Sequence, residues 1–249
     1  MIRYVTGTLG AGKTFHSTRL LIEHLTKGGV VVTNIECVYP KIRDLIAKRS
    51  KVWIEPDQLR VFDPEVTPEW QTVIPWGHAE GQVLVVMDEA HLFYNSRDWA
   101  TTAAANKALL SFLTQSRKAG VDVLWITQDS GNVDKQFRVL AEWELAVVNT
   151  KHLPLGWLGM LPFKAYCVKH ISSRGNFLVK KEWWLYNKYL FGTYKTDSML
   201  NVAMREMSAQ VERCGFRKLT KVSLRERFRL SLDSFLLDFK TSFRSFFKL

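Results

Sequence analysis

An eight-residue segment near the N-terminus constrains the fold of this chain more than any other feature. Residues 7–14 read Gly-Thr-Leu-Gly-Ala-Gly-Lys-Thr; they follow an apolar run, residues 2–5, and precede residues 15–25, which have helical character. A glycine, four residues and then Gly-Lys-Thr between a strand and a helix is the P-loop pattern. Its glycines let the backbone wrap closely around a phosphate, and the helix offers free N–H groups and the positive end of its dipole. The pattern therefore predicts a P-loop α/β fold that binds a nucleoside triphosphate.

The residue types in this segment indicate how a phosphate and a metal ion would be held. Lys13 would reach the β- and γ-phosphates, and the hydroxyl of Thr14 would bind Mg²⁺. An ordinary glycine-rich turn is the alternative, and the flanking strand and helix argue against it. The predicted nucleotide-binding residues are Gly7, Gly10, Ala11, Gly12, Lys13, Thr14 and Phe15.

An acidic motif follows the P-loop at a separation in sequence that fits the same fold. Residues 83–87 form a continuous apolar run that ends at Asp88 and Glu89. Parallel strands that are buried on both faces have such runs, and an apolar strand ending in Asp-Glu is the Walker B pattern. Asp88 would hold Mg²⁺ through its water shell, and Glu89 would activate the attacking water. His91, just beyond, is interpreted as a structural or sensing residue rather than a base.

Another strand is predicted over residues 121–127, ending beside Gln128. A polar side chain at that position can contact the γ-phosphate or the attacking water, so Gln128 is the predicted sensor. A simple cap of the strand end is the alternative. Residues 107–118 predict the crossover helix that joins this strand to the previous one.

Three arginines are candidates for completing the site of a neighbouring subunit, as happens in ring-shaped motors. They are Arg97, Arg117 and Arg138. Arg117 and Arg138 are favoured because they flank the strand that precedes Gln128, although each is also explained as an ordinary surface arginine. We therefore predict a homo-oligomeric ring in which Arg117 or Arg138 acts in trans.

Composition limits the classes of partner and of site. The formal net charge of +11 in 249 residues, with much of the excess in the last third, predicts a polyanionic partner: nucleic acid or an anionic membrane surface. The three cysteines match no metal-binding spacing, which favours a reducing, cytoplasmic setting. No apolar run reaches the roughly 20 residues that cross a bilayer. The first strand begins so early that we expect no signal peptide.

The chain divides into a P-loop domain over residues 1–200 and a basic, partly amphipathic helical tail over residues 201–249. Strands at residues 163–168 and 177–184 predict a small β-hairpin insertion in the first part. The apolar segment 152–163 is either a loop packed on the core or an exposed contact loop. In the tail, residues 224–249 repeat Phe and Leu at helical spacing among basic residues. Such a helix lies in a membrane interface or docks on protein.

Several of these segments together resemble a known family. The N-terminal GTLGAGKT, then VVTNIE, VLVVMDEAH and QSRKAGVDVLWITQ, resemble the zonular-occludens-toxin-like ATPases, morphogenesis proteins of filamentous phages. That family is grouped with the HerA/FtsK-type DNA motors, which include packaging ATPases of membrane-containing icosahedral phages. The resemblance covers about residues 1–200.

The resemblance implies ATP-driven handling of phage DNA during virion assembly. It implies ATP and Mg²⁺ at Lys13 and Thr14, Walker B roles for Asp88 and Glu89, and other virion assembly proteins as partners. It also implies the sensor role of Gln128 and an inter-subunit role for Arg138. The expected location is the host bacterial cytoplasm, peripheral on the inner membrane, or the virion. Filamentous-phage members usually continue into a membrane-spanning helix and an outer domain, and this sequence shows neither. That departure favours packaging over extrusion, and both remain open.

Two other functions are weighed against this one. A nucleotide-switched, membrane-associated assembly adaptor would use the tail as an anchor without moving DNA. A metabolic kinase is disfavoured because the pair Asp88-Glu89 suits water activation and no acceptor site is evident. DNA-stimulated ATPase activity would separate the motor from the adaptor.

Overall fold

One large sheet organises the computed structural model of this protein, which describes residues 1–64, 70–92, 103–150 and 165–195 together with the pairs 213–214 and 220–221. The strands are β1 (Ile2–Thr6), β2 (Val30–Thr33), β3 (Val52–Trp53), β4 (Leu59–Val61), β5 (Trp76–Gly77), β6 (Val83–Met87), β7 (Val121–Ile126), β8 (Trp143–Asn149), β9 (Ala165–Ser172), β10 (Phe177–Leu185), β11 (Arg213–Cys214) and β12 (Thr220–Lys221). The helices are α1 (Lys13–Thr26), α2 (Tyr39–Ser50), α3 (Ala103–Gln115), α4 (Lys135–Leu140) and α5 (Lys188–Phe191).

The large sheet has eight strands in the order β10-β9-β8-β1-β7-β6-β2-β4. The strands from β8 to β4 run parallel to one another. Strands β9 and β10 are antiparallel additions next to β8. The predicted hairpin is therefore confirmed, and it extends the central sheet at one edge. Its first strand continues to Ser172, four residues beyond the predicted end at residue 168.

Continuous apolar runs place the inner strands between two hydrophobic clusters. In β6, Val83, Val85 and Met87 belong to the cluster that includes residues of α3 and α4. Leu84 and Val86, on the alternate face, belong to the cluster that includes residues of α1 and α2. Burying each such side chain contributes about 1.5–3 kcal/mol. Helices thus cover both sides of the parallel strands, as this strand composition predicts.

The strand order brings three loops to one edge of the sheet. β7 lies between β1 and β6, so the P-loop after β1, the acidic pair after β6 and the polar residues after β7 all follow carboxyl ends of neighbouring parallel strands. In open α/β sheets, ligands bind beyond this edge. The predicted helix over residues 15–25 and the predicted crossover helix are confirmed as α1 and α3.

Several predicted features lie outside the described residues: the apolar segment 152–163, Arg97 and the amphipathic segment 224–249. Within the predicted tail, residues 213–214 pair with β5 and residues 220–221 pair with β3. The helical tail stays a prediction. Among the described helices, each is too short or too polar to span a bilayer.

Candidate nucleotide-binding site

The P-loop takes a backbone conformation that its glycines make possible. Gly7 and Gly12 have φ values of 148° and 96°, in the region that favours glycine. A Cβ atom on Gly7 would lie 2.5 Å from the carbonyl oxygen of Val147 in β8. A Cβ atom on Gly12 would lie 2.5 Å from the hydroxyl oxygen of Tyr186. The loop is therefore closely packed from both sides, and larger residues at these two positions would displace it.

Lys13 is the first residue of α1, and its ammonium group lies inside the loop. Nζ donates to the carbonyl oxygens of Gly7 at 3.0 Å and Thr8 at 3.3 Å. The side chain is buried, with 7% of its surface exposed. A cation held at the N-terminus of a helix and surrounded by loop backbone is suited to binding a phosphate.

The two predicted magnesium ligands are in contact. The hydroxyl of Thr14 donates to Oδ2 of Asp88 at 2.9 Å, which joins the start of α1 to the end of β6. Burial raises the pKa of Asp88 to about 6, against the effect of the Thr14 hydrogen bond. These are hard oxygen donors, the type that Mg²⁺ prefers. Within the described ranges no three His, Cys, Asp or Glu residues gather as a metal cluster. Mg²⁺ usually takes one or two protein ligands with water and phosphate oxygens, and the oxygens of Thr14 and Asp88 are the ones that could hold it here.

Asn34 fixes the position of Asp88, a role that the sequence patterns did not assign. Its Oδ1 accepts from the backbone N–H of Asp88 at 2.6 Å, and its Nδ2 donates to the carbonyl oxygen of Asp88 at 2.9 Å. The amide side chain therefore ties the end of β2 to the end of β6. The signal in the sequence was a polar residue directly after the buried run of β2.

Glu89 occupies a strained backbone position next to the magnesium ligands. Its φ is 50°, which costs a residue with a side chain about 1–2 kcal/mol. Its backbone N–H donates to Oδ1 of Asp88 at 2.9 Å. Its Oε2 lies 3.3 Å from Nδ1 of His91, and the same nitrogen lies 3.5 Å from Oγ1 of Thr127. His91 therefore lies between the predicted water-activating carboxylate and the end of β7, which agrees with a structural or sensing role.

The two polar residues at the end of β7 differ in their exposure and in the groups that they contact. Thr127 is buried, and its hydroxyl donates to the carbonyl oxygen of Asp129 at 3.0 Å. Gln128 is exposed, and its carbonyl oxygen accepts from the backbone N–H of Gly7 at 3.4 Å. Gln128 thus contacts the P-loop through its backbone, while Thr127 directs its side chain toward His91. The sensor role of the Gln128 side chain stays a prediction.

The two favoured arginines do not gather at the P-loop edge of the sheet. Arg117 follows α3 and precedes β7, at the opposite edge, where its Nε lies 2.5 Å from Oε1 of Glu80. Arg138 lies within the short helix α4, between the end of β7 and the start of β8. Neither completes the site of its own chain, so a role in trans stays a prediction for both.

An aromatic cluster holds the P-loop from the side of the hairpin. The hydroxyl of Tyr186, just after β10, donates to the carbonyl oxygen of Ala11 at 3.2 Å. The ring centroid of Tyr186 lies 4.9 Å from that of Phe15, 5.0 Å from that of Tyr166 and 5.7 Å from that of Phe191. Phe15, a predicted nucleotide contact, has its side chain buried in this cluster, so only its backbone is placed to approach a phosphate.

The chain beyond the hairpin is attached to the loop after β2. The backbone N–H of Val38 donates to the carbonyl oxygen of Thr193 at 2.8 Å, and that of Lys195 donates to the carbonyl oxygen of Glu36 at 3.0 Å. On the other side of the P-loop, Nδ2 of Asn149 donates to the carbonyl oxygen of Gly10 at 3.3 Å. These contacts and that of Tyr186 join residues far apart in sequence, so no local pattern could have identified them.

Comparison with known families gives a match over most of the chain. The family model described as zonular occludens toxin (Zot) matches residues 1–200. Among curated proteins, the Gene 1 protein of Enterobacteria phage I2-2 is 32% identical over 146 residues, covering 55% of this chain and 37% of the relative. The Gene 1 protein of Enterobacteria phage M13 is 25% identical over 169 residues, covering 64% of this chain and 45% of the relative. The chain spans less than half the length of these relatives.

Solved structures resemble the chain at low sequence identity. The N-terminal domain of zonular occludens toxin from Neisseria meningitidis is 18% identical, with a TM-score of 0.47, and the match covers 78% of this chain and 98% of that domain. The genome packaging NTPase B204 of Sulfolobus turreted icosahedral virus 2 is 13% identical, with a TM-score of 0.45, and the match covers 73% of this chain and 96% of that one. These likenesses concern the fold alone.

Proposed function

Because this chain belongs to the zonular occludens toxin (Zot) family, we propose that it is a P-loop ATPase that packages or translocates phage DNA during virion assembly. One observation carries the hydrolytic part: Thr14 at the start of α1 contacts Asp88 at the end of β6, with Glu89 beside them. The phage setting is supported by the curated relatives, which are Gene 1 proteins of phages.

In this proposal each side chain of the site has one task. The P-loop backbone and Lys13 bind the triphosphate, and Thr14 and Asp88 hold Mg²⁺. The ion, when bound, neutralises negative charge on the β- and γ-phosphates. The carboxylate of Glu89 accepts a proton from the attacking water, and His91, 3.3 Å away, orients that carboxylate.

The net charge of the chain supports DNA as the proposed partner. A net charge of +11 suits a polyanion, and contacts with phosphates carry no sequence information. We further propose that the subunits form a ring, that Arg117 or Arg138 acts across the subunit boundary, and that other virion assembly proteins are partners. The complex would work in the host cytoplasm, peripheral on the inner membrane, or in the virion.

Two substitutions test the hydrolytic site. Lys13→Ala should abolish ATP binding, because the phosphates lose their charge partner. Glu89→Gln should keep ATP binding and lose turnover, because only proton acceptance is removed. ATP affinity is measured by calorimetry and turnover by phosphate release. Equal loss of ATP affinity in both variants would remove the role given to Glu89.

DNA coupling is tested by the ATPase rate with and without each form of DNA. Stimulation by DNA, with an affinity that falls steeply as salt rises, is the expected result.

A second candidate, the nucleotide-switched membrane adaptor, is favoured by the basic, phenylalanine-rich segment 224–249. ATPase activity that ignores DNA, together with pelleting on anionic vesicles that is lost on deleting residues 224–249, would favour the adaptor.

A further inference from the structure

The hairpin end of the sheet has two different sides. On one side Tyr166, Val168 and Trp184 pack against α1, and the guanidinium carbon of Arg19 lies 3.5 Å from the centroid of the Trp184 ring. The other side is formed by cross-strand pairs of β9 and β10, here called the hairpin face. These pairs are Ile171 with Leu178, Lys169 with Lys181, Cys167 with Trp183, and Ala165 with Leu185.

The described helices do not cover the hairpin face. On that side of the sheet, α3 and α4 contribute Leu109, Leu113 and Phe137 to the cluster over β1, β6 and β7, several strands away. Cys167 is buried, whereas Trp183 beside it is 59% exposed and Leu185 is 66% exposed. A large indole ring held in solvent on a regular strand is available as a contact surface.

Two lysines stand opposite each other at the centre of this face. Lys169 and Lys181 are direct cross-strand partners, so their Cβ atoms are about 5 Å apart. Like charges in this arrangement destabilise a sheet. The acidic residue of the hairpin, Glu182, lies on the other side with Lys180 and His170. Neither Lys169 nor Lys181 forms an ion pair with another residue in the part of the chain that the structure describes.

This arrangement is complementary to an anion with an aromatic part. One phosphate can contact both ammonium groups, which offsets their mutual repulsion. Trp183 lies two residues beyond Lys181 on the same face, where a base beside that phosphate can stack on the indole ring. Basic side chains next to an exposed aromatic ring are the combination that binds single-stranded nucleic acid, whose bases are free to stack.

The position of the lysines disfavours the other occupants. The lysine pair lies between Leu178 on one side and Trp183 on the other. A membrane or an apolar protein covering this face would remove from water two ammonium groups that have no ion-pair partner among the described residues, which is costly. Surfaces that insert into a bilayer keep their lysines at the rim.

We propose that the hairpin face binds single-stranded nucleic acid, with Trp183 stacking on a base and Lys169 and Lys181 contacting phosphate. This inference rests on the proposed function for its setting, since it gives the DNA-handling ATPase a site for an unpaired strand. Stacking of one base on an aromatic side chain is worth about 1–3 kcal/mol. Trp183→Ala should therefore weaken binding by about 5- to 150-fold.

The test is fluorescence anisotropy of the full chain with a labelled oligothymidine and with a duplex of equal length. Trp183→Ala should lose affinity for the oligothymidine, and Trp183→Phe should recover most of it. Replacing Lys169 and Lys181 by Gln should make the slope of log affinity against log salt shallower by about 0.7, the contribution of one phosphate contact with a single strand. Lys180→Gln is the matched control, because it removes the same charge from the opposite side of the same strand.

Three results would overturn the inference. One is equal affinity of Trp183→Ala and wild-type protein for the oligothymidine. Another is an equal change of salt slope in Lys180→Gln and Lys181→Gln. The third is loss of pelleting on phosphatidylcholine–phosphatidylserine vesicles in Trp183→Ala while oligothymidine binding persists.

The ATPase rate separates this inference from the proposed function. If DNA stimulates wild-type turnover and the hairpin-face variants still bind the oligothymidine normally, the inference fails and the proposed function stands. If the variants lose oligothymidine binding while DNA never affects wild-type turnover, the inference stands and the proposed motor fails. Basal turnover without DNA should be unchanged in the variants, because the hairpin face lies outside the nucleotide site.

Discussion

Tyr186→Phe isolates one hydrogen bond between the hairpin and the P-loop. The substitution removes the hydroxyl that donates to the carbonyl oxygen of Ala11 at 3.2 Å. The phenyl ring keeps the packing against Phe15, Tyr166 and Phe191. The variant therefore changes the support of the loop while leaving the aromatic cluster in place.

The size of the effect follows from the energy of that hydrogen bond. A neutral hydrogen bond contributes about 0.5–1.5 kcal/mol net. If the bond stabilises the loop conformation that binds phosphate, its loss should weaken ATP affinity by about 2- to 13-fold. Stability should fall by no more than the same 0.5–1.5 kcal/mol. Tyr186→Ala should destabilise the fold further, because the ring contacts are lost as well.

The assay is calorimetric titration of ATP, with the urea midpoint as the measure of stability. Tyr189→Phe is the matched control: it removes a hydroxyl from a half-exposed tyrosine three residues away, on α5. That control should bind ATP as the wild type does. Wild-type ATP affinity in Tyr186→Phe, or an equal loss in Tyr189→Phe, would refute the reasoning.

Gly12→Ala extends the same test. A Cβ atom at Gly12 would lie 2.5 Å from the Tyr186 hydroxyl oxygen and 3.3 Å from the ring carbon that carries it. Removing the hydroxyl relieves the shorter contact, while the strain of a φ of 96° remains. Gly12→Ala should therefore cost less ATP affinity in the Tyr186→Phe background than in wild type, and a double-mutant cycle measures that difference.

Three further predictions follow from contacts described above. Asn34→Ala should lower stability by about 1–3 kcal/mol and weaken Mg²⁺-dependent ATP binding, because two backbone groups at the end of β6 lose their partner; wild-type urea midpoints would contradict it. Burial and then the charge of Arg19 lower the pKa of His16 to about 3. Below about pH 6.5 the unfolded chain therefore binds a proton at this residue, while the folded chain does not. The free energy of unfolding should fall by roughly 2.5 kcal/mol from pH 7 to pH 4.5 through this group; urea titrations at both pH values should show a smaller fall in His16→Gln, and equal falls would reject the assignment. Arg138→Ala should reduce turnover and spare ATP affinity; mixing it with Glu89→Gln protein should partly restore turnover if sites are shared between subunits, and no restoration counts against Arg138.

Features of the site that are local in sequence were predictable. The P-loop and the run ending in Asp88 and Glu89 each combine a buried strand with residue types that have few other uses. One rule predicts that these two motifs lie close together: the carboxyl ends of parallel strands lie at one edge of the sheet. The contact of Thr14 with Asp88 agrees with that expectation.

Features that depend on register were not predictable from one sequence. Asn34 reaches Asp88 because β2 and β6 pair with Thr33 opposite Val86, and no pattern within either strand states that pairing. At the end of β7, Thr127 and Gln128 are adjacent, and the sequence alone could not decide which side chain turns toward the site. Tyr186 contacts a residue 175 positions earlier, so its role appears only when the hairpin is added to the sheet.

The central place of β1 has a consequence for the order in which the protein can fold during synthesis. The partners of this N-terminal strand are β7 and β8, where Ile2 pairs with Val123 and Val5 with Leu145. At about 5–20 residues per second, a ribosome needs roughly 6–24 s to make the intervening chain. Through that interval the strand that carries the P-loop has neither neighbour, and non-local pairing of this kind is slow. A nascent chain that ends before β7 would therefore lack a nucleotide site, although the whole P-loop motif had already been translated.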